Sequence, residues 1–170
     1  IGLDTSHSIA FAQRIQGKAM LGVNITRCLR FPSPFQSEEQ QDDRQKILEG
    51  IDIEVTRDFN HAVEGAQGIL LEINDPAQHW KYFKKAAELN VPIFVDKPLA
   101  NNLSNAKKIC ELAELKCLNV WEASSLRFSP DLRLAIKQAG SPELVNIYGA
   151  MGKAAAGSSL VWYGCHTFQM

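Results

Sequence analysis

The sequence predicts a doubly wound α/β fold, in which helices cover both faces of an open parallel sheet. Short β-branched or apolar runs alternate along the chain with longer segments of helical spacing. The connections between these segments are short, as parallel strands with intervening helices require. Of the 170 residues, 45% are hydrophobic and 22% are charged, which is typical of a globular domain and excludes a disordered or coiled-coil chain.

The first half of the chain contributes three strands and three helices to this prediction. The predicted strands cover residues 1–2, 21–29 and 53–56, and the predicted helices cover residues 6–16, 37–48 and 59–64. Ile9, Ala12 and Ile15 give the first helix its apolar face, and Gly17 ends it. Ser37 caps the second helix, whose Glu, Gln and Asp residues are typical of a solvated face.

The second half contributes three further strands and three helices. The predicted strands cover residues 68–73, 92–96 and 118–123, and the predicted helices cover residues 76–90, 102–117 and 130–139. Asp75 and Pro76 are placed as N-cap and first residue of the first of these helices, with Trp80, Phe83 and Ala87 on its inner face. The next helix is predicted to bury one side, made of Leu103, Ala106, Ile109, Cys110 and Ala113. Gly140 is expected to end the last helix.

The pattern changes after Gly140. Residues 144–151 predict a strand without a helix partner, and small residues follow at 153–159. A length of 170 fits one domain of about 100 to 200 residues, or one domain and the start of another. We therefore expect a dinucleotide-binding type of domain over residues 1–141 and the truncated beginning of an α+β domain over residues 142–170.

Charge and cysteine usage exclude several classes of function. With 18 basic and 19 acidic side chains, the chain lacks the positive field that nucleic acids or anionic membranes attract. Its apolar runs are far shorter than the roughly 20 residues that span a bilayer. The four cysteines do not have metal-ligand spacing and are expected to be reduced, mostly buried thiols, which predicts a soluble cytoplasmic protein that binds a small molecule.

In a doubly wound sheet, ligands bind beyond the carboxyl ends of the strands, so the residues that follow each strand are the candidate site. The first strand is followed by GLDTSH at residues 2–7, where a dinucleotide fold usually has three spaced glycines and here has Gly2. The charge of Asp4 would repel a pyrophosphate there. Thr5 and Ser6 lie where a helix N-terminus favours an anion. An ordinary helix N-cap, formed by Asp4, Thr5 or Ser6, is the alternative interpretation.

The residues that follow the second and fourth strands are less specific for one type of ligand. Arg27 and Arg30 replace the acid that would hold an adenosine ribose, and they suit a 2′-phosphate or are simply surface charges. Glu72, Asn74, Asp75 and His79 follow the fourth strand. His79 is expected on the exposed side or first turn of its helix, where surface placement is the alternative to a role in binding.

Asp96-Lys97-Pro98 follows the fifth strand and is the most informative tripeptide. It places an ammonium beside a carboxylate at the mouth of the ligand crevice, and the Lys97–Pro98 bond is a candidate for the cis form. A plain turn that ends the strand is the alternative.

Four segments together resemble the glucose-fructose oxidoreductase, inositol dehydrogenase and rhizopine-catabolism family. PIFVDKPLA at residues 92–100 is similar to the family's v-E-K-P-l-a sequence, with Asp in place of Glu. NDPAQH at residues 74–79 resembles its segment after the fourth strand, and SLRFSP at residues 125–130 its R-f-x-P stretch. GSSLVWYGCH at residues 157–166 is similar to G-G-x-L-x-D-x-G-x-H. The chain is closest to a subgroup that opens with G-L-D-T-S-H and ends with W-Y-G-x-H.

The resemblance implies a Rossmann-like domain that binds NAD or NADP, and arginines after the second strand make NADP the weakly preferred cofactor. It implies Lys97 and His166 as catalytic residues that, with Trp162, contact the substrate. The residues implied to bind the cofactor are Gly2, Asp4, Thr5, Ser6, His7, Arg27, Arg30, Asn74, Asp75, His79, Asp96, Lys97 and Arg127. Family members continue well beyond this histidine into an open-faced sheet, which implies a homo-oligomer formed through the second domain.

The expected function is hydride transfer between a nicotinamide and a secondary alcohol or ketone of a sugar, cyclitol or polyol. Lys97 and His166 are the candidates for proton transfer. Trp162 stands where the family has Asp; it stacks on a sugar or fills core space. The alternative function is a catalytically inactive ligand or nucleotide sensor on the same fold, favoured by the reduced glycine loop and the missing Asp.

Overall fold

Parallel strands alternate with helices in the computed structural model, which describes residues 1–19 and 22–169. The strands are β1 Arg27–Leu29, β2 Glu54–Thr56, β3 Ile69–Leu71, β4 Ile93–Asp96 and β5 Val120–Ala123. The α-helices are α1 Ser6–Arg14, α2 Glu38–Glu49, α3 Phe59–Val63, α4 His79–Ala86, α5 Leu103–Leu115, α6 Pro130–Ala139 and α7 Ser159–Phe168. A π-helical turn, Ile15–Ala19, extends α1, and 3₁₀ turns cover Ala87–Leu89 and Ser125–Phe128.

The start of the chain lies between two parallel sheets. β1 pairs with β2, and β4 pairs with both β3 and β5. The amide of Gly2 donates to the Leu29 carbonyl at 2.9 Å, and the amide of Glu72 donates to the Ile1 carbonyl at 2.8 Å. With residues 1–2 counted as the first strand, the sheet has the order 3-2-1-4-5-6 of the doubly wound, Rossmann-like architecture. The predicted fold class is confirmed.

Local sequence accounts for several helix ends. Ser37 and Gln40 form a capping box before α2, Asn102 caps α5, and Gly140 ends α6 with a φ of 66°. In contrast, α4 begins at His79 rather than Pro76, because the Asp75 carboxylate accepts the Ala77 amide and holds a turn there. The predicted strand 21–29 pairs over Arg27–Leu29 alone, and its first residue, Leu21, lies outside the described residues.

Two buried clusters hold the helices against the sheet. The larger contains Leu71, Phe83 and Val95, each fully buried, and the smaller is built around Leu3 and Ala12. Both depend on apolar runs that the sequence pattern identified.

One prediction about burial on α5 was wrong. Leu103 and Cys110 are exposed, whereas Ile109 is buried and Ala106 and Ala113 are half-buried. At about 100° per residue, Leu103 and Cys110 lie at the edge of the stripe that the other three share.

The predicted strand at residues 144–151 is not formed. Residues 141–158 contain no helix or strand, and Leu144, Val145, Ile147 and Tyr148 are exposed. The physical reason is that none of the residues the structure describes offers this segment a partner strand.

The cysteines and the helices bear on the predicted environment. All four thiols are free, but Cys28 alone is buried, so the expectation of mostly buried cysteines was wrong. Across the described ranges, every helix is too short or too polar to cross a bilayer.

Candidate active site

Side chains from four strand ends meet at the carboxyl edge of the sheet. Glu72 follows β3, Asp96 ends β4, and Ser124 follows β5. The segment after residues 1–2 adds His7, in the first turn of α1. This is the edge at which the architecture places its ligands.

A cluster of His7, which is half-buried, and the buried Glu72 and Asp96 lies at this edge. One ligand-type atom from each residue lies within 4.8 Å of the others. His7 Nδ1 lies 2.7 Å from Asp96 Oδ2, and the amide of Lys97 donates to Asp96 Oδ1 at 2.8 Å. The hydrogen bond with Asp96 raises the pKa of His7.

Glu72 is the exception in this cluster because both of its carboxyl oxygens are buried and have no hydrogen-bond partner among the described residues. Its relative exposure is 2%. Burial, and then the charge of Asp96, raises the pKa of Glu72 to about 8. Without a bound cation, Glu72 is therefore largely protonated at neutral pH.

Lys97, Trp162 and His166 form a second group, which brings together the three predicted substrate contacts. Lys97 Nζ lies 5.8 Å from the centre of the Trp162 ring. Trp162 and His166 are four residues apart in α7 and so share a helix face. Burial, and then the positive charge of Lys97, lowers the pKa of His166. The Lys97–Pro98 peptide bond is cis.

His166 is held by a residue that the sequence reasoning missed. Ser124 Oγ, fully buried, lies 2.6 Å from His166 Nδ1. The amide of Ser124 also donates to the Gln169 side chain, which in turn donates to Glu122 at 2.5 Å. Ser124 follows β5, so its position at a strand end was the signal that could have found it.

The loop after the first strand corrects one expectation. Asp4 is fully buried, and its carboxylate accepts from Ser33 Oγ at 2.6 Å and from the Asn74 amide at 3.0 Å. Its charge is turned into the protein, so the expected repulsion of a pyrophosphate does not follow. Thr5 is the N-cap of α1, where its side chain accepts the His7 amide, and Ser6 is exposed beside it.

Gly2 and the two arginines also have defined partners. Gly2 has a φ of 106° and lies directly against the Glu72 carbonyl. Arg27 donates to Glu54 at 3.2 Å and to the Glu64 carbonyl at 2.8 Å. Arg30 is buried and pairs with two carboxylates of α2, Glu38 at 2.7 Å and Asp42 at 2.6 Å. A phosphate at the end of β1 would compete with these carboxylates.

His79 lies in the first turn of α4, which was one of the two predicted placements, but the predicted surface exposure was wrong. It is fully buried, with Nδ1 3.1 Å from the Leu99 carbonyl and Nε2 2.8 Å from the Ile73 carbonyl. It thus ties α4 to the segments after β3 and β4. Asn74 donates its side-chain amide to the Asp4 carbonyl, whereas Arg127 is exposed in its 3₁₀ turn.

A cavity of about 220 Å³ adjoins the second group. Its lining includes Phe35, Asp75, Asn101, Gly157 and Trp162. The Phe35 and Trp162 rings lie 5.6 Å apart, so aromatic and polar groups both face this space. A pocket of this composition suits a small polar molecule with one apolar face.

Solved structures share the fold of this chain at low sequence identity. A probable oxidoreductase, yhhX, is 20% identical with a TM-score of 0.66, over 96% of this chain and 49% of its own. UDP-N-acetylglucosamine 3-dehydrogenase GnnA from Acidithiobacillus ferrooxidans is 9% identical with a TM-score of 0.61, over 82% and 41%. KijD10, a 3-ketoreductase from Actinomadura kijaniata solved with NADP and TDP-benzene, is 14% identical with a TM-score of 0.60, over 81% and 40%.

The chain therefore spans less than half the length of each of these proteins. No protein-family model matches the sequence, and a search of curated proteins found no match. At such identities the likeness establishes the doubly wound fold, whereas an activity has to be argued from the site.

Proposed function

We propose that this chain is the nucleotide-binding part of an NAD(P)-dependent oxidoreductase that interconverts a secondary alcohol and a ketone of a sugar, cyclitol or polyol. The observation that carries the proposal is the convergence of Lys97, Trp162 and His166 at the carboxyl edge of a doubly wound sheet. The names of GnnA, a 3-dehydrogenase, and KijD10, a 3-ketoreductase, support this class of reaction.

The residues present suit a dinucleotide at this edge. Gly2 lies against the Glu72 carbonyl at the start of this loop, and the N-terminus of α1 beside Thr5 and Ser6 favours a pyrophosphate. Asp4 does not oppose it, because its carboxylate is buried and hydrogen-bonded. A nicotinamide bound there supplies the acceptor or donor of a hydride at its C4 atom.

His166 is proposed as the proton acceptor when an alcohol is oxidised. When Nδ1–H donates to Ser124 Oγ, Nε2 is left free to take the hydroxyl proton while the carbinol C–H bond breaks. Lys97 is proposed to donate a hydrogen bond to the substrate oxygen and so to orient it. Trp162 is proposed to cover one face of a sugar ring.

We also propose a cytoplasmic location and assembly into a homo-oligomer. The exposed thiols of Cys110 and Cys117 suit the reducing cytoplasm. The exposed apolar residues between 144 and 151 support assembly into a homo-oligomer through the segment after residue 141.

A ligand or nucleotide sensor is the second candidate, and Trp162 favours it, because an indole cannot relay a proton where an Asp is expected. Calorimetric titration with NAD and NADP, followed by an absorbance assay of nicotinamide reduction over a polyol panel, separates the two. Turnover of any polyol supports the oxidoreductase. Tight binding without turnover of any member supports the sensor.

The pH dependence of alcohol oxidation tests the role of His166. Its pKa lies below the ordinary 6.5, so the imidazole is neutral at pH 7 and can accept a proton. As pH falls through that lowered pKa, the base is protonated and kcat/KM should fall about tenfold per pH unit. Burial of the imidazole has the largest effect on this pKa, followed by the charges of Lys97, Asp96 and His7.

In the same measurement, His166→Gln should abolish this fall of kcat/KM at low pH, the acidic limb of the profile. His61→Gln should retain the acidic limb, because His61 pairs with Glu54 away from this edge. An unchanged limb in His166→Gln would assign the base to another residue.

Cofactor choice tests the two arginines. A guanidinium matches a 2′-phosphate, but Arg27 and Arg30 already bind carboxylates, so we expect a preference for NADP below about tenfold in Kd. Arg30→Ala should remove that preference, as measured by calorimetric titration with both nucleotides. Equal affinities in the unaltered protein, or an NAD preference that persists in Arg30→Ala, would count against it.

A further inference from the structure

Three ligand-type side chains converge at the carboxyl edge in a way that the proposed hydride transfer does not use. His7 offers an imidazole nitrogen, and Glu72 and Asp96 offer carboxylate oxygens, all within 4.8 Å of one another. Imidazole with two carboxylates is a donor set that divalent first-row transition metals accept. Ligands about 2.0 to 2.2 Å from one ion lie about 3 to 3.5 Å apart, so small side-chain movements would close the set around a metal.

Glu72 is the independent observation that points to a ligand. Its side chain is almost completely buried, yet neither oxygen has a partner among the described residues. Buried polar atoms are nearly always hydrogen-bonded, and an unpartnered carboxylate beside a second carboxylate is costly unless a proton or a cation is bound. His7 is paired with Asp96 rather than with Glu72, and the negative charge of Asp96 destabilises an ionised Glu72.

The sheet holds the two carboxylates, and the cluster is open to solvent at His7. Glu72 directly follows the paired β3 residue Leu71, and Asp96 ends the adjacent β4, so their backbones are fixed by the sheet. The Lys97 amide donates to Asp96 Oδ1 at 2.8 Å and so helps to orient this carboxylate, as outer partners of metal ligands do. The His7 side chain is 38% exposed against 7% for Asp96, so the cluster opens to solvent on the imidazole side.

The geometry points to a divalent transition-metal site formed by His7, Glu72 and Asp96, with its remaining coordination positions open towards the ligand crevice. Three protein ligands and open positions are the arrangement of a metal that also contacts a bound molecule. The test of this site is independent of the proposed hydride transfer, because metal binding is measured without cofactor or substrate.

Mn²⁺ is the probe of choice, because the exposed thiols of Cys110 and Cys117 would bind Zn²⁺ but are poor ligands for Mn²⁺. Electron paramagnetic resonance measures the free Mn²⁺ that remains as the 170-residue chain is added. We expect saturation at one ion per chain. Glu72→Gln, which keeps the shape of the side chain, should weaken binding by at least about tenfold.

Glu122→Gln is the matched control, because Glu122 is a half-buried carboxylate on β5 outside the cluster. The Glu122→Gln protein should bind Mn²⁺ as tightly as the unaltered chain does. His7→Gln is a second test, because His7 is partly exposed and its replacement should not prevent folding. Circular dichroism verifies that the variant protein is folded. Absence of saturable binding to the unaltered chain would overturn the site. So would unweakened binding by folded Glu72→Gln or His7→Gln.

Discussion

Lys97→Ala is expected to lower turnover in alcohol oxidation by about 10²-fold or more, the scale on which acid/base and positioning groups act. Lys97 directly follows β4, and its backbone amide donates to Asp96. The ammonium of Lys97 lies over the Trp162 ring. Removal of this charge takes away the hydrogen bond proposed to orient the substrate oxygen. The measurement is kcat and KM over the substrate that the polyol panel identifies.

Two further variants separate charge from packing. Lys97→Met keeps the aliphatic stem against Trp162 and removes the ammonium, so it should lose as much turnover as Lys97→Ala. Lys107→Ala, which removes an exposed lysine on α5, should leave kcat unchanged. Turnover within about threefold of the unaltered protein in both Lys97 variants would refute a catalytic role for this residue.

The fold was predictable from sequence because its elements are locally specified. Ser37 and Gln40 cap α2 reciprocally, and Gly140 ends α6, so these boundaries match the sequence pattern closely. The apolar runs that form β3 and β4 are buried on one face and half-buried on the other, as the continuous apolar pattern predicted. The failures lie where tertiary contacts decide, as at residues 144–151, whose apolar residues find no partner strand among the residues that the structure describes.

The site was predictable in its positions but not in its partnerships. Strand ends identified Lys97, Asp96 and His7, because a doubly wound sheet brings these positions to one edge. A sequence does not reveal which side chain turns inward. Asp4 looked like a charge at the crevice and is buried, whereas His79 looked exposed and lies buried between two carbonyls.

Glu72 shows a further limit of sequence reasoning. A glutamate at the end of a buried strand is unremarkable until its neighbours are known. Burial beside Asp96, with neither oxygen hydrogen-bonded among the described residues, is what gives it an unusual pKa and chemical interest. These neighbours become known only when the fold brings the ends of β3 and β4 and the start of α1 together.

Gly2→Ala is expected to lower the free energy of unfolding by about 3 kcal/mol or more, an unusually large effect for the addition of one methyl group. Gly2 has a φ of 106°, a conformation that alanine rarely adopts. An added Cβ would also meet the Glu72 carbonyl oxygen at 2.1 Å and its carbon at 2.8 Å. Both atoms are backbone, so relief requires the central strand to move away from β3.

Gly65→Ala is the matched control, because Gly65 also has a left-handed φ, 70°, but an added Cβ there meets nothing within 4 Å. It should cost about 1 kcal/mol, the conformational penalty alone. Urea unfolding followed by circular dichroism measures both variants, and failure of Gly2→Ala alone to fold is the extreme of the expected result. Equal destabilisation of the two would show that close approach to Glu72 does not constrain Gly2. The expected difference would mean that Gly2 sets the spacing between the first strand and β3 on which the position of Glu72 depends.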